Sequence, residues 1–209
     1  MLCLPRVEVS VVDAVASRMS KPQNFGDLAF TPAVKAVQER LGTRRSYARL
    51  EGRSMRTEIG PEEAEFIAER DSFYMATVGE NGWPYVQYRG GPKGFLRVLD
   101  ASTLGFADFR GNGQYVSTGN VLSTHRACLF LMDYPNQTRM KIWAEAEISD
   151  DAATIARVTD PTYPAQIERA FLFHVQAFDW NCHKYIVQRF AREELAVLSA
   201  MGSASRAAT

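Results

Sequence analysis

Cysteine is scarce and odd in number: Cys3, Cys128 and Cys182 are scattered over 209 residues. Such a set builds no disulfide framework, and no two of the three stand in a CxxC metal pair. An excess of charge of either sign is also missing, since Lys plus Arg and Asp plus Glu both total 24. Net charge therefore recruits neither DNA nor an acidic membrane, although a local basic cluster can still hold an anion. No apolar run approaches the roughly 20 residues of a membrane span. Met1–Ser20 breaks its apolar residues with Arg6, Glu8, Asp13 and Arg18, unlike the continuous stretch of a signal peptide. A soluble protein of the reducing cytoplasm is expected. The P-loop and the dinucleotide GxGxxG are absent. So are internal repeats, and low complexity is confined to the small-residue tail Gly202–Thr209, which is expected to be loose.

What is present reads as a β-rich domain. Hydrophobic residues make up 46% and charged residues 23%, the composition of a globular chain with one substantial core. After a loop over Lys21–Asp27, Thr31-Pro32 caps and opens a helix over 32–41, which Gly42 stops. Arg44, Arg45, Arg49, Arg53 and Arg56 follow; aromatic interleaving is limited to Tyr47, so they read as solvated charges, not a nucleic-acid patch. Pro61 opens a second helix to Arg70, with Glu62, Glu63 and Glu65 where the helix dipole favours acids. Phe73–Val78 and Trp83–Tyr88 flank the hairpin turn Asn81-Gly82. Phe95–Leu99 and Thr103–Phe106 pair around Asp100, and Ala127–Asp133, Met140–Ile148 and Phe171–Trp180 are further strands. Asp150–Val158 reads as a helix capped by Ser149, and Glu193–Ala200 as a C-terminal helix. Six or more antiparallel strands with peripheral helices suggest a closed or partly closed barrel, and the missing strand–helix alternation argues against a doubly wound fold. Residues 1–60 are expected to form a helical and extended segment packing on the barrel, 61–200 the barrel domain and 201–209 a flexible tail.

Chemistry concentrates between Gln87 and Asn120. Arg89-Gly90-Gly91-Pro92-Lys93-Gly94-Phe95 and Arg110-Gly111-Asn112-Gly113-Gln114-Tyr115-Val116-Ser117-Thr118-Gly119-Asn120 are both glycine-rich, which lets backbone amides approach a ligand. Arg89, Lys93 and Arg110 add positive charge, while Ser117, Thr118 and Asn120 add neutral hydrogen-bonding groups. A helix starting at Gln114 would also favour an anion with its first amides. These features suit a phosphate group, and two glycine-rich turns carrying surface charges remain the alternative. In Asn136–Trp143, period-two alternation puts Arg139 and Lys141 on one face, toward an electron-rich ring or toward solvent. A third cluster runs from Phe178 through Trp180, Cys182 and His183 to Arg189. Cys182-His183 lacks the second Cys/His cluster and the partner acid that a metal or nucleophile site needs, so no metal is expected. His125 and His174 read as a loop residue and a strand residue; Leu129–Met132 and Phe171–Phe173 read as core.

Taken in order, four pieces carry a resemblance: Gly90-Gly91-Pro92-Lys93-Gly94-Phe95; Gly111-Asn112 with Gln114 to Asn120; Met132-Asp133-Tyr134-Pro135; and Phe178-Asp179-Trp180-Asn181-Cys182. Together they resemble the FMN-binding proteins related to pyridoxamine 5′-phosphate oxidase, over roughly Phe30 to Arg189. The resemblance implies a mainly β fold, a six-stranded antiparallel split barrel that forms a homodimer with FMN at the subunit interface. It places the strand of Gln87 and Arg89 beside the flavin, with Gly91 and Lys93 following. It assigns the phosphate to Phe109–Asn120, with Phe109, Arg110, Gly111, Asn112, Gln114, Ser117 and Asn120 as candidates. Arg139 and Lys141 take the positions of polar contacts to the ring or ribityl chain, and Trp180 and Arg189 those of C-terminal residues that approach the flavin, often from the other subunit. Lys93, Arg139 or Lys141 would then stabilise negative charge on reduced flavin. The implied activity is an FMN-dependent oxidoreductase acting on an unknown small molecule. No general acid or base is evident, which suits direct hydride transfer. A non-catalytic FMN carrier or sensor is one rival; a merely interacting dimer with a degenerate site is another. A haem-binding barrel is a third, needing His125, His174 or His183 as axial ligand. Asn112-Gly113-Gln114 replaces the oxidase's basic cluster and its C-terminal substrate pattern is missing, so pyridoxamine phosphate is in doubt as a substrate.

Overall fold

A computed structural model describes residues 24–51, 58–181, 183–192 and 194–195. Arg53, Arg56, Cys182, most of the expected helix Glu193–Ala200 and the tail lie outside the described residues. Seven strands form one antiparallel sheet: β1 Ser72–Val78, β2 Pro84–Gly90, β3 Arg97–Asp100, β4 Thr103–Phe109, β5 Arg126–Asp133, β6 Thr138–Ser149 and β7 Ile167–Asn181. Their order across the sheet is β2-β1-β5-β6-β7-β4-β3. The β-barrel class expected from the sequence holds. The count is seven where the resemblance implied six, and these are the seven segments that the residue pattern had marked. Peripheral helices are α1 Phe25–Ala29, α2 Pro32–Arg40, α3 Arg44–Tyr47, α4 Pro61–Ala68, α5 Val116–Thr124 and α6 Ala152–Val158.

Local chemistry explains the boundaries. Gly82 takes φ +81° in the β1–β2 turn, where a side chain would be strained. Thr31 accepts from the Val34 amide at 3.4 Å to start α2. The cap of α6 is Asp151, which accepts from Thr154 N at 2.8 Å, and not Ser149, whose hydroxyl accepts from Asp151 N at 3.2 Å. Glu63 is 1% exposed. It accepts from Gly60 N at 3.0 Å and from Trp180 Nε1 at 3.2 Å, so one carboxylate caps α4 and fastens it to β7. Among the arginines read as solvated, Arg44 instead pairs with Glu51.

Residues paired across the ladders share a face. Phe73, Leu131 and Met140 form one inward row, and Met75, Leu129 and Ile142 the next. All six are buried. Phe73 of β1 meets Phe106 of β4 edge-on at 5.5 Å, although these strands are far apart in the sheet order. The sheet is therefore rolled around its core. Phe106 also stacks on Phe171 at 5.1 Å and on Phe173 at 5.9 Å. The other face of β4 is covered by α6 through Ala107, Val158 and Ala170. This contact is so close that a Cβ on Gly105 would lie 2.8 Å from Val158 Cγ1.

His174 Nε2 lies 3.3 Å from Glu147 Oε1 on the outer face of β6 and β7, with side chains 20% and 29% exposed. Hydrogen bonding to Glu147 raises the His174 pKa above its ordinary 6.5, and the same contact lowers Glu147 below its ordinary 4.5. The raised histidine contributes stability below pH 6.5 that is lost as pH rises through its folded pKa. The lowered carboxylate contributes above pH 4.5 and is lost as pH falls through its folded pKa. His174→Gln should therefore cost about 0.5–1 kcal/mol in urea unfolding at a pH between those two values. The cost should shrink toward zero in alkaline buffer; a pH-independent difference would contradict the pairing.

Candidate functional site

The roll of the sheet brings β2, its first strand, against β4, next to its last. No ladder joins them. The seam is held instead by Arg89 Nη1 donating to Asp108 Oδ1 at 2.7 Å, with side chains 13% and 7% exposed. Arg89 reaches the interior because its ladder partner is the inward Phe73. Its guanidinium lies 5.3 Å from the Phe106 ring centroid and 5.2 Å from that of Phe171. Asp108 also faces Arg169 Nε at 3.5 Å, and Arg169 binds Glu168 at 2.7 Å. Burial pushes the Asp108 carboxyl above its ordinary range and the Arg89 guanidinium below its own, while each partner's charge opposes the change.

Beside this pair the seam opens into a cavity of about 270 Å³. Tyr85, Gln87 and Arg89 of β2 form one wall, Asp108 and Phe109 of β4 with Glu168 of β7 another, and the segment from Gly111 to Thr118 the third. Gly113 at φ +76° and Tyr115 at φ +51° bend that segment tightly into α5. Asn112 Oδ1 accepts from Gln114 N at 3.1 Å, shaping the turn. No side chain caps the start of α5, so the amides of its first turn are left for a ligand or solvent. Ser117, 1% exposed, donates to Gln87 Oε1 at 2.7 Å. The buried Arg89 Nε makes no hydrogen bond.

The structure thus gathers seven of the sequence candidates: Gln87, Arg89, Phe109, Gly111, Asn112, Gln114 and Ser117. Arg110 stands at the rim and donates to Gln166 at 3.2 Å. Asn120 is one turn along α5, donating to Thr77 at 3.0 Å. Gly91 packs on Phe95, and the exposed Lys93 pairs with Glu69 at 3.1 Å. Arg139 and Lys141 partner Met132 and Phe130 on the outward face of the barrel, away from this cavity. Trp180 binds Glu63, and Arg189 lies 5.2 Å over the Tyr134 ring. Within one chain these last four residues do not reach the cavity. Asp108 and Glu168 were missed by sequence reasoning. The signal was an acid inside the apolar run Leu104–Phe109, where an unpaired charge is not tolerated.

A family model described as Pyridoxamine 5′-phosphate oxidase matches residues 59–178, more than half of the chain. No curated protein matches. Among solved structures, HupZ of Group A Streptococcus aligns with 15% identity over 63% of this chain and 99% of its own, at a TM-score of 0.50. An FMN-binding protein from Syntrophomonas wolfei has 14% identity, covering 69% and 97% of the two chains, at 0.48. A protein related to general stress protein 26, of the pyridoxinephosphate oxidase family in Clostridium acetobutylicum, has 16% identity over 58% and 87%, at 0.45. At such identities the likeness to HupZ speaks for the fold.

Breaking one side of a buried pair leaves an uncompensated charge. Arg89→Met is expected to cost about 3–5 kcal/mol in urea unfolding, and adding Asp108→Leu should restore most of it. A double variant no more stable than Arg89→Met would contradict the seam role of the pair.

Proposed function

The chain belongs to the pyridoxamine 5′-phosphate oxidase family, and from that premise we propose that it is a flavoprotein holding FMN at the β2–β4 seam. The observation that carries the reading is the convergence on one cavity of an uncapped helix start, the glycine-rich turn Gly111–Gly113, and the arginine of the seam pair. Amides and guanidinium are the donors a phosphate takes. Ser117 and Gln87 offer groups to phosphate or polyol oxygens. Asp108 and Glu168 face the same space, so the arginines there are already partly neutralised and the amides carry more of the anion's binding. At about 270 Å³ the cavity is at the small end of ligand sites, so the ring of a flavin would extend beyond it.

The ring's cover would come from a second copy of the chain. The outward face of β1 and β2 exposes Tyr74, Val86 and Tyr88 at 37%, 60% and 61%. Arg139 and Lys141 lie on the same outward side of the barrel. A homodimer through this face buries apolar surface and brings these cations from one subunit toward the flavin of the other. FMN, when bound, supplies two-electron chemistry; the chain supplies binding, orientation and exclusion of water. We assign the protein to FMN-dependent oxidoreduction of a small molecule. Haem binding is not favoured: none of His125, His174 and His183 lines the cavity, and His174 is engaged by Glu147.

The test is the visible spectrum of the purified protein, followed by release and identification of the chromophore. One FMN per chain in a particle of two chains is the expected result, with flavin reduced on adding a suitable donor. Ser117→Ala should weaken FMN binding about five- to tenfold while leaving the fold intact. A Soret band, or a colourless protein that does not take up added FMN, would overturn the reading. FMN that no donor reduces would leave a carrier.

A further inference from the structure

The turn Gly111–Gln114 carries no charged side chain, and Arg89 meets the seam cavity already paired with Asp108. Arg110 stands at the rim on Gln166. A third arginine borders the same space. Arg169 is the ladder partner of Asp108 and shares its inward face. Its guanidinium is bracketed by three residues that all line the cavity. Asp108 Oδ2 lies 3.5 Å from Nε, Glu168 Oε2 lies 2.7 Å from Nη2, and the Tyr115 ring centroid is 4.9 Å from the guanidinium carbon.

Two irregularities of the backbone produce this arrangement. Successive residues of a strand point to opposite faces, so regular pleating would turn Glu168 away from its neighbour Arg169. The β4–β7 ladder skips at this point: Phe109 pairs with Ile167 and Asp108 with Arg169, which leaves Glu168 as the extra residue of a bulge. The bulge lets both side chains reach the cavity wall. Tyr115 holds φ +51°, a left-handed conformation that a β-carbon disfavours, and from there its hydroxyl donates to Glu168 Oε1 at 3.2 Å. Both irregularities serve one contact, a carboxylate laid on a guanidinium.

The seam charges are balanced, with the guanidiniums of Arg89 and Arg169 against the carboxylates of Asp108 and Glu168. A phosphate monoester adds a charge of roughly −1.5 to −2 and meets like charge unless a carboxylate moves out. The two carboxylates differ in their freedom to do so. Asp108, 7% exposed, closes the seam through Arg89 and also faces Arg169. Glu168, 17% exposed, stands on the bulge and closes no seam.

Within the flavin reading of the site, on which this inference rests, we propose that Arg169 is a phosphate-binding residue and Glu168 its resident counter-ion, exchanged for the ligand's phosphate on binding. The carboxylate keeps the guanidinium oriented in the empty site. The exchange also makes the site selective, because a flavin without a phosphate offers nothing to replace the carboxylate.

The experiment titrates the full-length protein, stripped of bound flavin, with FMN, riboflavin and inorganic phosphate by calorimetry. The same titrations are run on Glu168→Gln, Arg169→Lys and Arg169→Gln. Glu168→Gln should bind FMN and inorganic phosphate about fivefold tighter, because no internal anion competes. Arg169→Gln should bind FMN about tenfold more weakly, with Arg169→Lys between it and the wild type. Riboflavin affinity should stay at the wild-type value in all three. FMN binding that Glu168→Gln weakens or leaves unchanged would overturn the inference, as would a loss in Arg169→Gln that riboflavin shares equally. Should Arg169→Gln fail to fold, Glu168→Gln and Arg169→Lys decide the matter. A wild type that binds neither flavin would sink the flavin reading itself, and this assignment with it.

Discussion

Arg89 and Asp108 join two strands that share no backbone hydrogen bond. The rest of the molecule depends on that contact, because it is where the rolled sheet closes. Both groups are desolvated, and each partner's charge opposes the cost that burial puts on the other's ionised form. The aromatic cluster of Phe106 and Phe171 beneath the guanidinium adds a favourable face for the cation. An apolar pair in the same place would close the seam equally well. A polar pair closes it and also puts an arginine among the residues that line a cavity.

That cavity follows from topology. Strands β2 and β4 share a cavity instead of a ladder, and Gly111–Gln114 with the bare start of α5 forms its third wall. Backbone amides and an arginine then converge without a dedicated binding domain. The same roll puts Arg139, Lys141 and the exposed Tyr74 and Tyr88 on the outside of the barrel. Two sets of candidate residues therefore sit on opposite faces of one sheet, and the proposed homodimer would bring them together.

Much of the fold was legible in the sequence. Asn81-Gly82, Thr31-Pro32 and the alternation in β1 and β5 mark their elements through strictly local chemistry. Boundaries slipped where two local signals competed, as with Ser149 and Asp151 at α6. The glycine-rich segment was legible as a candidate ligand loop, with a plain turn as the alternative, and the structure places it in the wall of the seam cavity. Asp108 and Glu168 were not, because their importance comes from contacts with Arg89 and Arg169 created by the roll of the sheet. Within one chain Lys93 and Trp180 lie away from the seam cavity, where Glu69 and Glu63 engage them. Period-two alternation placed Arg139 and Lys141 together but carries no information on which side of a rolled sheet faces a ligand.

The most direct test of the account is a crystal structure of the protein with its flavin. The phosphate is expected at the start of α5, hydrogen-bonded to the amides of Ser117 or Thr118, with Arg89 and Asp108 still paired behind it. A flavin bound wholly on the outward face around Lys141, with the seam cavity filled by water, would contradict it.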